Sequence, residues 1–127
     1  MANRALIAGV SGIAGGNLAD LLVAEGWEVY GLARCPPERR PGVTAVAADL
    51  LDREALGAAV AGIGPSHVFI TSWVRRATEA EGRVANSALV RNLLDAVAPA
   101  QTLRHVALVT GMKHYLGPFE AYGKYPI

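Results

Sequence analysis

Hydrophobic and polar positions change period several times along this chain, and each change predicts an element. Ala5-Leu-Ile-Ala-Gly9 is a continuous apolar run closed by glycine, the pattern of a strand buried on both faces. From Ile13 to Glu25 the spacing becomes helical, with Ala14, Leu18, Leu21 and Leu22 on one apolar face and Gly26 as the stop. Trp27 to Ala33 alternates and is rich in β-formers, which predicts a second strand with Trp27 as a packing residue before it. Cys35 to Gly42, with its prolines and arginines, predicts a surface loop, and Val43 to Ala48 a third, weaker strand. Asp52 is placed to cap a helix running to about Ala61, ended by Gly62 and Gly64-Pro65. His67 to Thr71 predicts a fourth strand. A long helix follows from about Glu79 to Ala98, with Val84, Leu89, Leu93, Leu94 and Val97 on its buried side and Pro99 at its end. Arg104 to Thr110 predicts a fifth strand, and the tail from Gly111 to Ile127 has no clear period.

Strands that alternate with helices predict an α/β fold. The expected architecture is a Rossmann-type parallel sheet of about five strands, in the order 3-2-1-4-5, with flanking helices. The 127 residues fit one domain, 1–127, and no repeat or interdomain linker is visible.

Composition narrows the function classes. Twelve Lys plus Arg against eleven Asp plus Glu leave a net charge of +1, which argues against nucleic acid or an anionic membrane as the main partner. Hydrophobic residues at 52% exclude a disordered chain. The one cysteine, Cys35, excludes an internal disulfide framework and a cysteine-based zinc site; its plain reading is an incidental free thiol. No apolar run approaches a membrane span or a usual signal-peptide core, so a cytoplasmic location is expected.

The chemistry starts between the first strand and first helix, at Gly9-Val-Ser-Gly12-Ile-Ala-Gly15. A GxxGxxG in that context is a dinucleotide turn. Gly9 permits the sharp turn, Gly12 lets backbone approach a pyrophosphate, and Gly15 lets the helix pack close on the strand. The helix N-terminus adds unpaired N–H groups and the positive dipole end. Expected cofactor contacts are Gly9, Ser11, Gly12, Ile13, Ala14 and Gly15; the plain alternative is a tight strand–helix turn with no ligand. Arg34 lies 19 positions after Gly15, where an NAD-specific fold carries an acidic residue. A guanidinium suits a 2′-phosphate by charge and forked geometry, so NADP(H) is favoured over NAD(H), with Arg39 and Arg40 adding to the field. A solvated loop arginine is the alternative. Asp49-Leu50 follows the third strand, where a carboxylate accepts from an adenine amino group or caps a helix.

The glycine turn, the arginine and the Asp-Leu pair together resemble an extended short-chain dehydrogenase/reductase. Three later segments sharpen the likeness: Thr71-Ser72-Trp73, Glu81-Gly-Arg-Val-Ala-Asn86-Ser, and Thr110-Gly-Met-Lys113-His-Tyr-Leu-Gly-Pro-Phe-Glu120. They are similar to the progesterone 5β-reductase/iridoid synthase-like (PRISE) group, from about Leu6 to Lys124, and the KHYxGPFE stretch is the most specific match. The resemblance implies reduction of an enone at its β-carbon with hydride from NADPH. It implies that Thr71, Ser72, Trp73 and Thr110 lie along the cofactor. It also implies that Lys113 is catalytic, polarising the substrate carbonyl oxygen together with a tyrosine. Negative charge builds on that oxygen during hydride addition, and an ammonium beside it stabilises the charge. A solvated loop lysine is the alternative for Lys113.

The family's partner tyrosine belongs to a segment well beyond the lysine. Tyr115, Tyr122 and Tyr125 do not stand in a YxxxK arrangement. The expectation is therefore the cofactor-binding N-terminal portion of such a reductase, lacking the catalytic tyrosine and the substrate lobe and weakly active or inactive as these 127 residues. A non-catalytic NADP(H) sensor or interaction module fits the same residues, and an NAD-dependent epimerase/dehydratase relative fits the glycine turn alone. A sheet ending after strand five leaves an open edge, and the long helix offers an apolar face, so a homo-oligomer is expected. Trp73 either walls the pocket or packs in the core. Asn86 either hydrogen-bonds a neighbouring loop or is solvated. His67 and His105 fall at the amino edge of the sheet, away from the cofactor, and His114 is a weak signal.

Overall fold

A computed structural model describes residues 3–35 and 40–110. Five strands and three helices follow one another along it. They are β1 (Arg4–Ala8), α1 (Ile13–Ala24), β2 (Glu28–Ala33), β3 (Val43–Ala47), α2 (Arg53–Val60), β4 (His67–Ile70), α3 (Glu79–Val97) and β5 (His105–Leu108). The strands form one sheet in the order β3-β2-β1-β4-β5, every pair parallel. This is the order the alternating pattern predicts.

The central strand explains its own apolar run. Alternate residues of β1 face opposite sides of the sheet. Ala5 and Ile7 join Val10, Ala19, Leu22 and Val29 in the core beneath α1. Leu6 and Ala8 join Leu32, Leu56, Val68, Ile70, Leu89 and Leu93 in the core on the other side, with α2 and α3. No polar alternation is left in a strand covered on both faces.

The helix faces differ in part from the periodic expectation. In α1 the buried residues are Gly15, Gly16, Ala19 and Leu22, whereas Ala14 is exposed and Leu21 is 56% exposed. Small residues lie against the sheet because they let the helix approach it. In α3 the buried positions are Asn86, Leu89, Leu93 and Val97. Val84 lies two residues before Asn86, about 200° round the helix, and is 73% exposed; Leu94 is partly exposed as well. Asp52 caps α2 by accepting from the Ala55 N–H at 3.1 Å, and Thr78 caps α3 by accepting from the Glu81 N–H at 3.2 Å. Gly26 follows α1 with φ +84°, a conformation few residues other than glycine adopt.

Candidate functional site

The carboxyl ends of β1 and β4 lie side by side, Ala8 opposite Ile70, and the chain leaves both at the same place. Past β1 it turns through Gly9 at φ +90°. The Gly9 N–H donates to the Leu32 carbonyl at 2.9 Å, and its carbonyl accepts from the Gly12 N–H at 3.0 Å. Past β4, the Thr71 hydroxyl donates to the Ala8 carbonyl at 2.7 Å and, more weakly, to the Gly9 carbonyl at 3.3 Å. Thr71 thus ties the fourth strand to the glycine turn.

Three glycines of the turn do different work. A Cβ on Gly9 would lie 2.6 Å from the Thr71 hydroxyl and 2.9 Å from the Ser72 nitrogen. A Cβ on Gly15 would overlap the Gly9 carbonyl oxygen and meet the Thr71 hydroxyl at 2.7 Å. The chain's own packing therefore requires both. Gly12 is unlike them. Its backbone is extended, at φ −84° and ψ 172°, and a Cβ there would meet only the Gly9 oxygen at an ordinary 3.4 Å. Nothing among the described residues demands glycine at this exposed position.

Gly12 is also the N-cap of α1, with no side-chain cap and no acidic residue in the first turn. By contrast α2 and α3 carry Asp52 and Thr78 as caps and Glu54, Glu79 and Glu81 in their first turns. The first N–H groups of a helix lack intrahelical partners, and a cap or an acid normally answers them. Around α1 that answer is withheld, with Ser11, Ile13 and Ala14 exposed beside it.

The remaining expected residues fall as follows. Arg34 is exposed directly after β2, and no ion pair among the described residues engages it. Arg40 does not join it. Its guanidinium pairs with Asp20 at 2.8 Å and donates to the Gly16 carbonyl at 3.2 Å, so its charge is committed to α1. Arg39 lies outside the described residues. Asp49 is exposed and accepts from the Leu51 N–H at 2.9 Å in a local turn; the helix cap is Asp52 instead. The Leu50 side chain is only 8% exposed and belongs to the core, its carbonyl held by Asn92 at 2.9 Å. Ser72 is half-buried, and Trp73 is 74% exposed, which excludes the core reading of this tryptophan. Thr110 is exposed past β5. Lys113, His114 and Tyr115 lie outside the described residues.

Two polar residues carry more than their spacing suggests. Asn86 is only 7% exposed and bonds the loop after β4 through Val74. Asn92, six residues further along α3, holds the segment after β3. Each is an amide on or beside a buried helical stripe, and that placement is the signal in the sequence. At the opposite edge, His67 packs edge-on against Trp27 with ring centroids 4.7 Å apart. Burial, together with nearby His105 and Arg104, holds its imidazole below the ordinary value of 6.5. Among the described residues no cluster of three or more His, Cys, Asp or Glu is placed to hold a metal ion, and no helix is long and apolar enough to cross a membrane.

Residues 5–124 match the NAD dependent epimerase/dehydratase family. The chain is 41% identical to the 3-oxo-Delta(4,5)-steroid 5-beta-reductase of Arabidopsis thaliana, over 91% of its own length and 32% of that protein. It is 39% identical to the (S)-8-oxocitronellyl enol synthase of Nepeta cataria, with the same coverage of both chains. It thus spans about a third of the length of these relatives. Among solved structures, a short-chain dehydrogenase/reductase superfamily protein of Agrobacterium tumefaciens with bound NAD superposes at a TM-score of 0.73 and 25% identity, covering 89% of this chain and 34% of that one. With its Rossmann-like sheet, glycine turn and a match over nearly all its length, this chain belongs to the NAD dependent epimerase/dehydratase family.

Proposed function

We propose that this chain binds NADP(H) at the Gly9–Gly15 turn, as the cofactor-holding part of a reductase that delivers hydride to the activated C=C of an enone. Gly12 is the observation that carries the binding. Packing does not require its missing side chain, and a pyrophosphate resting on the uncapped start of α1 supplies a reason for it. Gly9 and Gly15 shape the turn, and Thr71 holds it against β4. Arg34, exposed and uncommitted to any described ion pair, supports a 2′-phosphate and hence NADP(H). Asp49, exposed after β3, is assigned to the adenine amino group, with Leu50 beside it.

The enone class rests on the two reductase and enol synthase relatives and on the Lys113 stretch. The nicotinamide, when bound, supplies the hydride. Lys113, which follows β5 in the sequence, is the residue we assign to the substrate carbonyl oxygen, where an ammonium stabilises the developing enolate. Trp73 and Thr110 border the carboxyl edge of the sheet. The chain spans only about a third of the length of those relatives, so handling of a small enone substrate is proposed to need residues beyond those named here.

Calorimetric titration tests the reading. NADPH is expected to bind at least about tenfold more tightly than NADH, the discrimination a charged hydrogen bond gives. Gly12→Val is expected to abolish binding while costing at most about 1 kcal/mol of stability, since valine is a poorer N-cap than glycine. Absence of NADPH binding, or a preference for NADH, overturns the cofactor assignment.

A further inference from the structure

At the amino edge of the sheet two histidines stand side by side. His67 opens β4 and His105 opens β5, and the parallel register sets them directly opposite one another. Paired residues of neighbouring strands project from the same face. Their imidazoles accordingly lie together, with ring centroids 6.0 Å apart and planes at 46°. An imidazole nitrogen binds zinc at about 2.0–2.1 Å, which puts the ring centre about 3.2 Å from the metal. Two rings sharing one ion therefore stand at most about 6.4 Å apart, and about 5.2 Å apart at the tetrahedral angle. The observed separation falls between these limits, so one ion can bridge the rings with little movement of either.

His67 is prepared for such a role. Its Nδ1 lies 2.8 Å from the Ser66 hydroxyl. That hydroxyl accepts from the Arg4 N–H at 2.9 Å and gives its hydrogen to the Arg4 carbonyl at 3.1 Å. A serine hydroxyl has a single hydrogen, so the one in the Ser66–His67 contact comes from the ring. His67 thus donates through its Nδ1–H, and Nε2, on the far side of the ring, keeps its lone pair. A metal-bound histidine is held in the same way, its other ring N–H given to an oxygen that fixes tautomer and orientation. Trp27, edge-on at 4.7 Å, and Phe69, stacked at 6.4 Å, restrict the ring further. His105 is exposed and forms the adjustable half of the pair. β5 is the outermost strand and pairs with β4 alone, so an ion shared by these two strands would staple the edge of the sheet.

We propose that His67 and His105 form a two-histidine site for a divalent transition-metal ion of the zinc class, which fastens β5 to β4. Imidazole nitrogens suit zinc, nickel and copper, whereas magnesium prefers oxygen ligands. The remaining positions of the ion are left to water, since no third His, Cys, Asp or Glu among the described residues is placed to join the pair. Arg104 precedes His105 in the chain, and its positive charge opposes the ion. The site lies at the opposite end of the strands from the glycine turn and does not depend on the cofactor reading.

Zinc chloride is titrated by calorimetry into the Cys35→Ser chain at about pH 7.5, where an ordinary imidazole is mostly unprotonated. This background removes the exposed thiol, itself a zinc ligand. One zinc per chain is expected. In that background, His67→Gln and His105→Gln are each expected to weaken binding at least about tenfold, because each imidazole holds the ion close to the other. His114→Gln is expected to stay within about twofold, and magnesium chloride to give no binding. Saturating zinc should raise the unfolding midpoint of the Cys35→Ser chain and leave that of the His105→Gln variant where it is. Long-range nitrogen–proton NMR is expected to show the His67 proton on Nδ1 before zinc is added and a shifted Nε2 signal afterwards. If His67→Gln does not fold, the exposed His105→Gln carries the test. Absence of zinc binding, or equal affinity in the His105→Gln variant, overturns the site. So does a loss confined to His114→Gln, or one zinc per two chains, which would put the ion between molecules. A His67 proton on Nε2 overturns the tautomer on which the proposal rests.

Discussion

At the carboxyl end of β1 the chain turns through glycines, and the helix that follows has no side-chain cap. At the amino end of the same strand, Arg4, Glu28, Tyr30 and Ser66 answer one another's polar groups. The Arg4 guanidinium pairs with Glu28 at 2.9 Å and also donates to the Ile63 carbonyl. The Arg4 N–H donates to the Ser66 hydroxyl at 2.9 Å, which donates in turn to the Arg4 carbonyl at 3.1 Å. Tyr30 donates to the second Glu28 oxygen at 2.9 Å, and Arg4 and Tyr30 together hold the Glu28 carboxyl below the ordinary carboxylate value. One end of the sheet is closed on itself; the other leaves donors open. A protein selected only for stability would close both, and this asymmetry is what supports the proposed placing of the cofactor at the open end.

The largest effect that would break this comparison is at Gly15. Gly15→Ala puts a methyl group into the Gly9 carbonyl and the Thr71 hydroxyl. It is expected to cost about 1–3 kcal/mol of stability, as overpacking does, and to remove NADPH binding. Denaturant titration and calorimetry read the two losses. A variant that is fully stable and binds normally would show that the close approach of α1 to the turn is not needed.

Next in size is Arg34→Ala. Because Arg34 is exposed and outside every described ion pair, stability is expected to stay within about 0.5 kcal/mol. NADPH affinity is expected to fall about tenfold to a hundredfold while NADH affinity stays the same, the worth of a charge-assisted bond to phosphate. Equal losses for both nucleotides would move the 2′-phosphate away from this arginine.

How far the site was legible in the sequence follows from the range of each contact. The strands were readable because burial on both faces leaves an uninterrupted apolar run, as at Ala5–Ala8. The turn was readable because its glycines work within seven residues of one another. Contacts made across the fold were not. Three arginines surround the loop after β2, and nothing local says that Arg40 is claimed by Asp20, twenty residues earlier, while Arg34 is left exposed. Helix faces were half legible: Leu21 and Val84 are apolar enough for a core, yet closeness to the sheet selected Gly15, Gly16 and the amide of Asn86 instead.

Smaller again is Ser66→Ala at the closed edge. Ser66 is buried, and its hydroxyl both accepts from and donates to Arg4. Its loss is expected to cost about 1–2 kcal/mol by leaving the Arg4 N–H unpaired, while the Arg4 carbonyl keeps its bond from the Ser66 backbone N–H at 2.9 Å. NADPH affinity should remain within about twofold, since the two edges lie at opposite ends of the strands. A large loss of affinity would mean that the closed edge also sets the geometry of the open one.

The smallest effect is a pH dependence, and it too separates the edges. His67 is packed against Trp27, opposite His105 in the next strand and near Arg104, and its imidazole titrates below the ordinary value of 6.5 in the fold. The unfolded chain therefore binds this proton at a higher pH than the folded one. Between the two values unfolding takes up a proton, so stability rises with pH in that window. The contribution is fully present above the ordinary histidine value and is lost as pH falls through the lower, folded value. Glu28 adds a loss of the same sign, but only below its ordinary value of 4.5, so the two windows do not coincide. Urea midpoints measured from about pH 8 to about pH 5 are expected to fall with a slope of at most about one proton. His67→Gln should flatten that slope without altering NADPH affinity at neutral pH. An unchanged slope would assign the proton to another group, and a weakened affinity would show that the packing around His67 reaches the open end of the sheet.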